Sequence, residues 1–539
     1  MHLAPASLML SLERLRCMWS HSSIFVVAFP DGEPARFTCK CFKTGERLLS
    51  DRQDEPVRVQ VPGEASAQLL SAVGSEPADA RGQISWATFE WARNPYVILI
   101  TIYIFAPYFS THVVGDPVRG QAIWGNINAI GGFVIALLGP LLGAIADSGG
   151  RRKPWIVSFV VIMAFATFSM WFALPMDGGI GILGAALVVI IANVAFEFSA
   201  VFHNSMLPYV APHKKVAGLS GLGLALGNLG SLLILIFMLI AFMLPGVVDW
   251  SFVPSVAMFG LDVSAYENSR ISGPIVAVWM VLFSLPLILF TPDSAPSGAN
   301  AKDAVRNGLR SVVRTVKGLK HYRNVALYLF ARMFYNDGKT AVLIFGGVYA
   351  AGVFQWGPLT LTIYGVVLSV FAVAGGLFGG WLDNTFGSRN AILISIGGTS
   401  LGLLLAVSMT PNEIFFVPYD AASAEPIWSL PFFATIPEIA YVSVVILIAI
   451  FITAAYANSR TMLARIAPPE KMSEFFGLYA LSGTATAFLG PLLVGVATAL
   501  SESQRVGFGS VLILLVGGMA LMLFVKEERA ALAAEDRRD

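Results

Sequence analysis

GAIADSGGRRK (143–153) closes one long apolar run of this chain, and GGWLDNTFGSR (379–389) closes another. Both set Gly-x-x-x-Asp ahead of a glycine and an arginine, the second with one extra residue. Each follows the second apolar run in a group of six, so the chain reads as two related halves repeated in parallel. Glycine lets the chain reverse tightly and lets neighbouring helices approach. An aspartate at such a place can cap the next helix or pair with a basic residue of a neighbouring bundle. Either copy alone would read as an ordinary charged loop. The matched pair predicts a conformational latch made of Gly143, Asp147, Gly150, Arg151 and Arg152 in one half and Gly379, Asp383, Gly387 and Arg389 in the other.

Working outward, twelve stretches approach the roughly 20 apolar residues that a helix needs to cross hydrocarbon. They are Pro95–Val114, Gln121–Ala146, Pro154–Leu174, Ile180–Tyr209, Val216–Leu244, Ile271–Phe290, Val325–Ala350, Pro358–Leu382, Ala391–Met409, Ile436–Ala457, Phe476–Leu500 and Val506–Val525. None alternates polar and apolar as a barrel strand would. The 539 residues are 56% hydrophobic and only 13% charged, about half the charge of a soluble domain. A net charge of +1 leaves no basic face for nucleic acid. The expected fold is an all-α membrane protein of twelve transmembrane helices in two six-helix halves.

Loop charge supports this map independently. Twenty lysines and arginines fall in every second loop and the tail, against only Arg119, Arg270 and Arg505 in the opposite loops. Positive residues stay on the cytoplasmic side, so both termini are expected there. The chain then divides into a polar N-terminal extension (1–82), a first half (83–290), a basic cytoplasmic connector (291–323), a second half (324–525) and a tail (526–539). Arg306, Arg310, Arg314 and Lys317 of the connector fall on one helical face, which reads either as an amphipathic helix on anionic headgroups or as a solvated tether. All three cysteines, Cys17, Cys39 and Cys41, lie in the extension, and with His21 their spacing fits no zinc pattern. The extension reads as weakly structured, or as the product of a start codon placed too early.

Ionisable side chains inside a spanning helix are costly unless they meet a partner or a cavity, so each is a functional candidate. Glu197 lies about 16 Å and Asp337 about 18 Å from the nearer helix end, close to the midplane. Glu197 shares a face with Asn193 and Asn204, a polar stripe that serves either a solute or a hydrogen bond between helices. In FYNDGKT (334–340), Arg332, Asn336 and Lys339 share one face and Asp337 turns away from it. Asn336-Asp337-Gly338 predicts a local helix break at Gly338, where backbone groups could hold substrate or ion. An internal ion pair of Arg332 or Lys339 with a glutamate is the plainer alternative. Gly338-Lys339-Thr340 is not a phosphate loop, because Met333 stands where that loop needs glycine. No nucleotide, cofactor or metal is implied, and no nucleophile–base pair suggests an enzyme. Gly223 and Gly227 are expected to be packing residues, and His203, at a helix end, reads either as a headgroup-level histidine or as a proton relay.

The paired loop motif resembles that of the major facilitator superfamily. More narrowly, SWATFEWARNPYV (85–97), FHNSMLPYVAP (202–212), SGLGLALGNLGS (220–231), FYNDGKT and SRTMLARIAPPEKMSEFFGLYALSG (459–483) look like the vacuole-effluxer branch. The chain departs from that branch at Phe89-Glu90-Trp91-Ala92-Arg93, and at Thr484 where a lysine is usual. The resemblance implies an integral, multi-pass secondary transporter of the bacterial cytoplasmic membrane that moves a small polar solute by alternating access. It implies an amino acid as solute, with proton coupling one option. It also places the solute at the midplane between spans 1, 4, 7 and 10, where Asn193, Glu197, Arg332, Asn336, Asp337 and Lys339 are the candidates. A sugar, drug or organic acid is the first alternative. A non-transporting receptor or assembly factor on the same fold is the second.

Overall fold

The computed structural model describes residues 23–28, 34–39, 76–147, 151–212, 215–293, 321–420, 425–467 and 472–527. The chain divides into two units, residues 1–64 and 65–539. In the first unit, Ser23–Ala28 (β1) and Pro34–Cys39 (β2) pair antiparallel with Phe25 opposite Phe37. Aromatic and β-branched residues favour such a ladder where weak structure was expected. The connector residues Arg306, Arg310, Arg314 and Lys317 lie outside the described residues.

The second unit is helical. Asp79 caps the first helix, Ala80–Arg93 (α1), by accepting the Gly82 N–H at 2.7 Å. The chain continues through wide π turns at Tyr96–Tyr103 and Phe109–Val113. The resulting span, Ala80–Val113, starts fifteen residues before the expected one at Pro95. Glu90, Arg93 and Asn94 made this turn look like a polar approach to the membrane. Instead, Trp86, Phe89 and Arg93 are buried.

Then follow Pro117–Asp147 (α2), Lys153–Ser169 (α3), Gly181–Val210 (α4), Val216–Met238 (α5) and Ser272–Phe290 (α6). The second half holds Arg323–Val353 (α7), Pro358–Val407 (α8), Ile436–Ile466 (α9), Met472–Thr484 (α10), Leu489–Ser501 (α11) and Val511–Met522 (α12). Among the described residues, ten stretches are long and apolar enough to cross a membrane. Phe165, Leu183 and Leu377 stand exposed on them, as lipid-facing side chains do.

At 50 residues, α8 would run about 75 Å, more than twice the hydrocarbon thickness. It comprises two helices that meet at Gly387, whose φ of 79° and ψ of 160° are non-helical and favour glycine. The arms lie against one stretch of α9: Gly375 and Gly379 approach Ile450 and Ala454, while Gly398 and Gly402 approach Phe451 and Ile448. α7, 31 residues long, is not among the ten. It carries Arg332, Asp337 and Lys339 in its middle, all buried.

The halves meet at the end opposite the basic loops. A Cβ on Gly125 of α2 would stand 2.7 Å from Gly495 Cα of α11, and one on Gly347 of α7 would stand 2.2 Å from the Ile102 carbonyl oxygen. Gln121 seals this end by donating to Thr498 at 2.8 Å and to the Gln504 carbonyl at 3.1 Å. Toward the basic end α2, α5 and α8 carry glycines with open space beside them. Positions Gly139 and Gly143 of α2, Gly218 and Gly221 of α5, and Gly376 and Gly380 of α8 meet no heavy atom within 4 Å among the described residues.

Candidate solute site

α7 runs unbroken through Asn336-Asp337-Gly338, so the break expected at Gly338 is not there. Gly338 instead lets α7 pack on α12, since a Cβ there would stand 2.9 Å from Leu515. The interruption falls across the bundle, between Thr484 of α10 and Leu489 of α11. Asp337 closes it by accepting the Gly490 N–H on Oδ2 at 3.0 Å. An amide at a helix start is a natural donor to a carboxylate. Asp337 Oδ1 is buried and has no hydrogen-bond partner.

The two cations of α7 differ. Arg332 donates to the Tyr479 carbonyl at 2.8 Å and to Ser482 Oγ at 2.7 Å, and its guanidinium lies 3.5 Å over the Tyr479 ring. α10 thus holds its Nη1 and one ring face without a carboxylate, while its Nε is buried with no hydrogen-bond partner among the described residues. Lys339 is wholly buried, with Nζ 3.6 Å from the Tyr456 ring centroid and 5.3 Å from that of Tyr335. It makes no hydrogen bond and no ion pair among the described residues. Neither cation has the glutamate partner that the plainer reading required. Asn336 is half-buried, and its carbonyl accepts from Thr340, whose hydroxyl also meets Tyr456.

The first half gathers acids. Glu197 is half-buried, and Arg93 and Glu90 are the charges that act on it. Asn193 accepts from Tyr96 at 2.8 Å and donates to Asn128 at 3.2 Å, so it ties α4 to α1 and α2. Asn204, the third member of the expected stripe, is exposed. Glu90 stands 3.6 Å from Arg93 Nε and 3.5 Å from His203 Nδ1. His203 is fully buried against Trp86. Gly223 and Gly227 of α5 pack on α1 at Trp86 and Glu90, as expected of packing residues. Glu90 and Arg93 were missed because the first span was started too late. The signal was present, since both continue the helical run from Trp86.

At the basic end the two motifs hold helix starts through acids from distant segments. Asp293, after α6, accepts the Arg152 and Lys153 backbone N–H groups at 2.9 and 3.1 Å. Glu527, after α12, accepts those of Ser388 and Arg389, both at 2.9 Å. Asp383 accepts Arg465 of α9 at 2.7 Å, and Arg465 also reaches Glu527 at 2.5 Å. Partial burial works to raise the Glu527 carboxyl, but the Arg389 and Ser388 amides and the Arg465 guanidinium outweigh it and hold it below the usual carboxylate range. Arg389 also donates to the Val525 and Leu523 carbonyls. Arg152 bonds Ser205 at 2.9 Å and lies over Tyr209, while Arg151 is exposed. Gly379 lets α8 meet Ala454, whereas Gly143 meets nothing described. The Asp147 side chain and Gly150 lie outside the described residues. A second echo, unnoticed in the sequence, underlies this layout. Met206-Leu207-x-x-Val210-Ala211-Pro212 ends α4, and Met462-Leu463-x-x-Ile466-Ala467-Pro468 ends α9.

Among the described residues no group of three or more His, Cys, Asp or Glu side chains could hold a metal. Charged groups buried midway along apolar helices, in two helical halves, describe a multi-pass membrane transporter of the major facilitator type rather than an enzyme. Solved structures agree on the fold. One is a D-xylose–proton symporter (TM-score 0.57, 12% identity, covering 83% of this chain and 96% of that one). Another is a bacterial homologue of the human lysosomal transporter Spinster in an inward-facing conformation (0.57, 15%, 83% and 95%). A third is the xylose transporter XylE from E. coli, inward open (0.54, 13%, 82% and 94%). The chain belongs to the vacuole effluxer Atg22-like family, which it matches over residues 81–535. It is 25% identical to the uncharacterised MFS-type transporter YxiO of Bacillus subtilis, over 84% of this chain and 97% of that protein. It is 23% identical to autophagy-related protein 22 of Yarrowia lipolytica, spanning about half of that protein (52%).

Proposed function

We propose that this protein is a secondary transporter of small zwitterions, amino acids foremost, in a bacterial cytoplasmic membrane. Lys339 carries the reading: its amino group is wholly buried with no anion and no hydrogen-bond acceptor among the described residues. A buried charge without a partner is costly, so a cation kept in this state is suited to a carboxylate that arrives with the solute. Arg332 is held through Nη1 by α10 and acts as a positioning residue. The solute's ammonium goes to Glu197, which has a single strong cation, Arg93, acting on it beside a second acid. Asn193 and Asn336, both half-buried on the same helices, offer neutral polar contacts. Asp337, engaged with Gly490, holds α11 against α7.

Twelve spans result when α8 is divided at Gly387, the charged α7 is added, and α10 with α11 counts as one. Both termini and the basic loops are cytoplasmic. With the opposite end sealed and open space beside the glycines of α2, α5 and α8 at the basic end, the conformation is open to the cytoplasm. Rocking of the halves about the α2–α11 contact and the contact of Ile102 with α7 exposes the site alternately. Lacking a phosphate loop, the protein draws on an ion gradient, which we take to be protons.

Counterflow exchange in proteoliposomes over a panel of amino acids, sugars and organic acids tests this. Exchange of amino acids is expected. Exchange confined to sugars or organic acids would reject the solute class, and no exchange of any solute would favour a receptor.

A further inference from the structure

His203 is a buried titratable group of the first half that solute binding leaves unused. We propose that His203 and Glu90 together hold the proton that couples transport to the gradient; this rests on the transporter reading above. Nε2 of His203 lies 2.9 Å from the Trp86 carbonyl, which can only accept, so Nε2 carries a hydrogen. The Trp86 indole returns a bond to the His203 carbonyl at 3.0 Å and stacks on the imidazole at 4.4 Å. Phe89 covers the ring at 4.8 Å. The tautomer is thereby fixed. Nδ1 has no hydrogen-bond partner and faces Glu90 Oε1 at 3.5 Å. With neutral imidazole, a lone pair meets a carboxylate. One proton turns that contact into a charge-assisted N–H···O bond.

The surroundings favour such a proton. From α1 come Glu90 and Arg93, and α4 adds Glu197 six residues before His203. α5 packs on Glu90 through Gly223 and Gly227 and presents no titratable side chain there. α3 packs on the neighbouring Phe202 through Trp155 and Phe159. Arg152, just before α3, is bound to Ser205 and Tyr209. α6 meets α1 through Trp279 and Trp91. With neutral imidazole, two carboxylates face the single cation Arg93, so the cluster is one positive charge short. His203 supplies it when protonated. Glu90, 21% exposed while His203 is 0%, is the point of entry for the proton. The proton comes from one aqueous side, binds Nδ1 by an N–H bond, and leaves to the other side after the halves rock.

The test uses the full-length protein with H203N and, should that variant misfold, H203Q and E90Q. Under a one-unit pH gradient, proton-coupled wild type should hold solute about tenfold above equilibrium. The variants should fall to no accumulation and no proton flux by an internal pH dye, while counterflow stays within about threefold of wild type. Wild-type accumulation and proton flux in H203N and E90Q would overturn the proposal, as would counterflow without proton flux in the wild type. The latter result would leave the transporter reading intact.

Discussion

The Asp337 carboxylate accepts the Gly490 amide at 3.0 Å, so an acid in the middle of the charged helix α7 closes the start of α11 beyond its break. Two features that looked separate in the sequence, an intramembrane acid and a late glycine-rich span, are thus one contact.

Removing that acceptor strands a buried amide, which costs about 1–3 kcal/mol. Asp337→Ala should therefore lower the thermal unfolding midpoint in detergent, and Asp337→Asn, which keeps an acceptor, should stay near wild type. Asn and Ala variants that fall equally far would show that the negative charge matters and not the bond.

At the basic end Arg465 bridges Asp383 and Glu527, so its loss leaves two acids without their cation. Arg465→Ala should cost about 2 kcal/mol, between exposed and buried ion pairs, and more than Asp383→Asn. Both should raise the labelling of a cysteine introduced beside Gly387, with the native cysteines replaced. Equal stability and labelling in all three proteins would refute a latch.

The same network sets a pH dependence. Glu527 is held below the usual carboxylate range, so its contribution is fully present above its unfolded value of about 4.3 and is lost as pH falls through the lower folded one. Glu527→Gln should unfold at lower temperature than wild type at neutral pH. The gap should persist through pH 4.3 and close only below it. A gap that closes above that value would contradict the account.

Much of this architecture is legible in the sequence because a spanning helix is a long apolar run whatever its neighbours. The loop motifs were legible because they repeat. What escaped depends on tertiary partners. Glu90 and Arg93 look like surface charges until Phe196, Trp86 and His203 surround them. The break at 485–488 carries no proline or glycine, and its place is set by Asp337 of another helix. Asn336-Asp337-Gly338 has the composition of a break, yet packing of Gly338 on Leu515 keeps it helical. Lys339 and Arg332 share a face and a charge, and only the contacts of Arg332 Nη1 to Tyr479 and Ser482 reveal that one is hydrogen-bonded to a neighbouring helix and the other is not.

The central claim is that the unpartnered Lys339 receives the solute's carboxylate, and binding to the purified protein tests it most directly. An amino acid that exchanges in counterflow is compared with the amine left when its carboxylate is removed, on wild type and on Lys339→Gln. A charge-assisted hydrogen bond contributes about 1.5–3 kcal/mol, so wild type should prefer the amino acid by about tenfold or more. Lys339→Gln should bind the two alike while Arg332→Lys keeps the preference. Full discrimination by Lys339→Gln, at wild-type folding, would contradict the account.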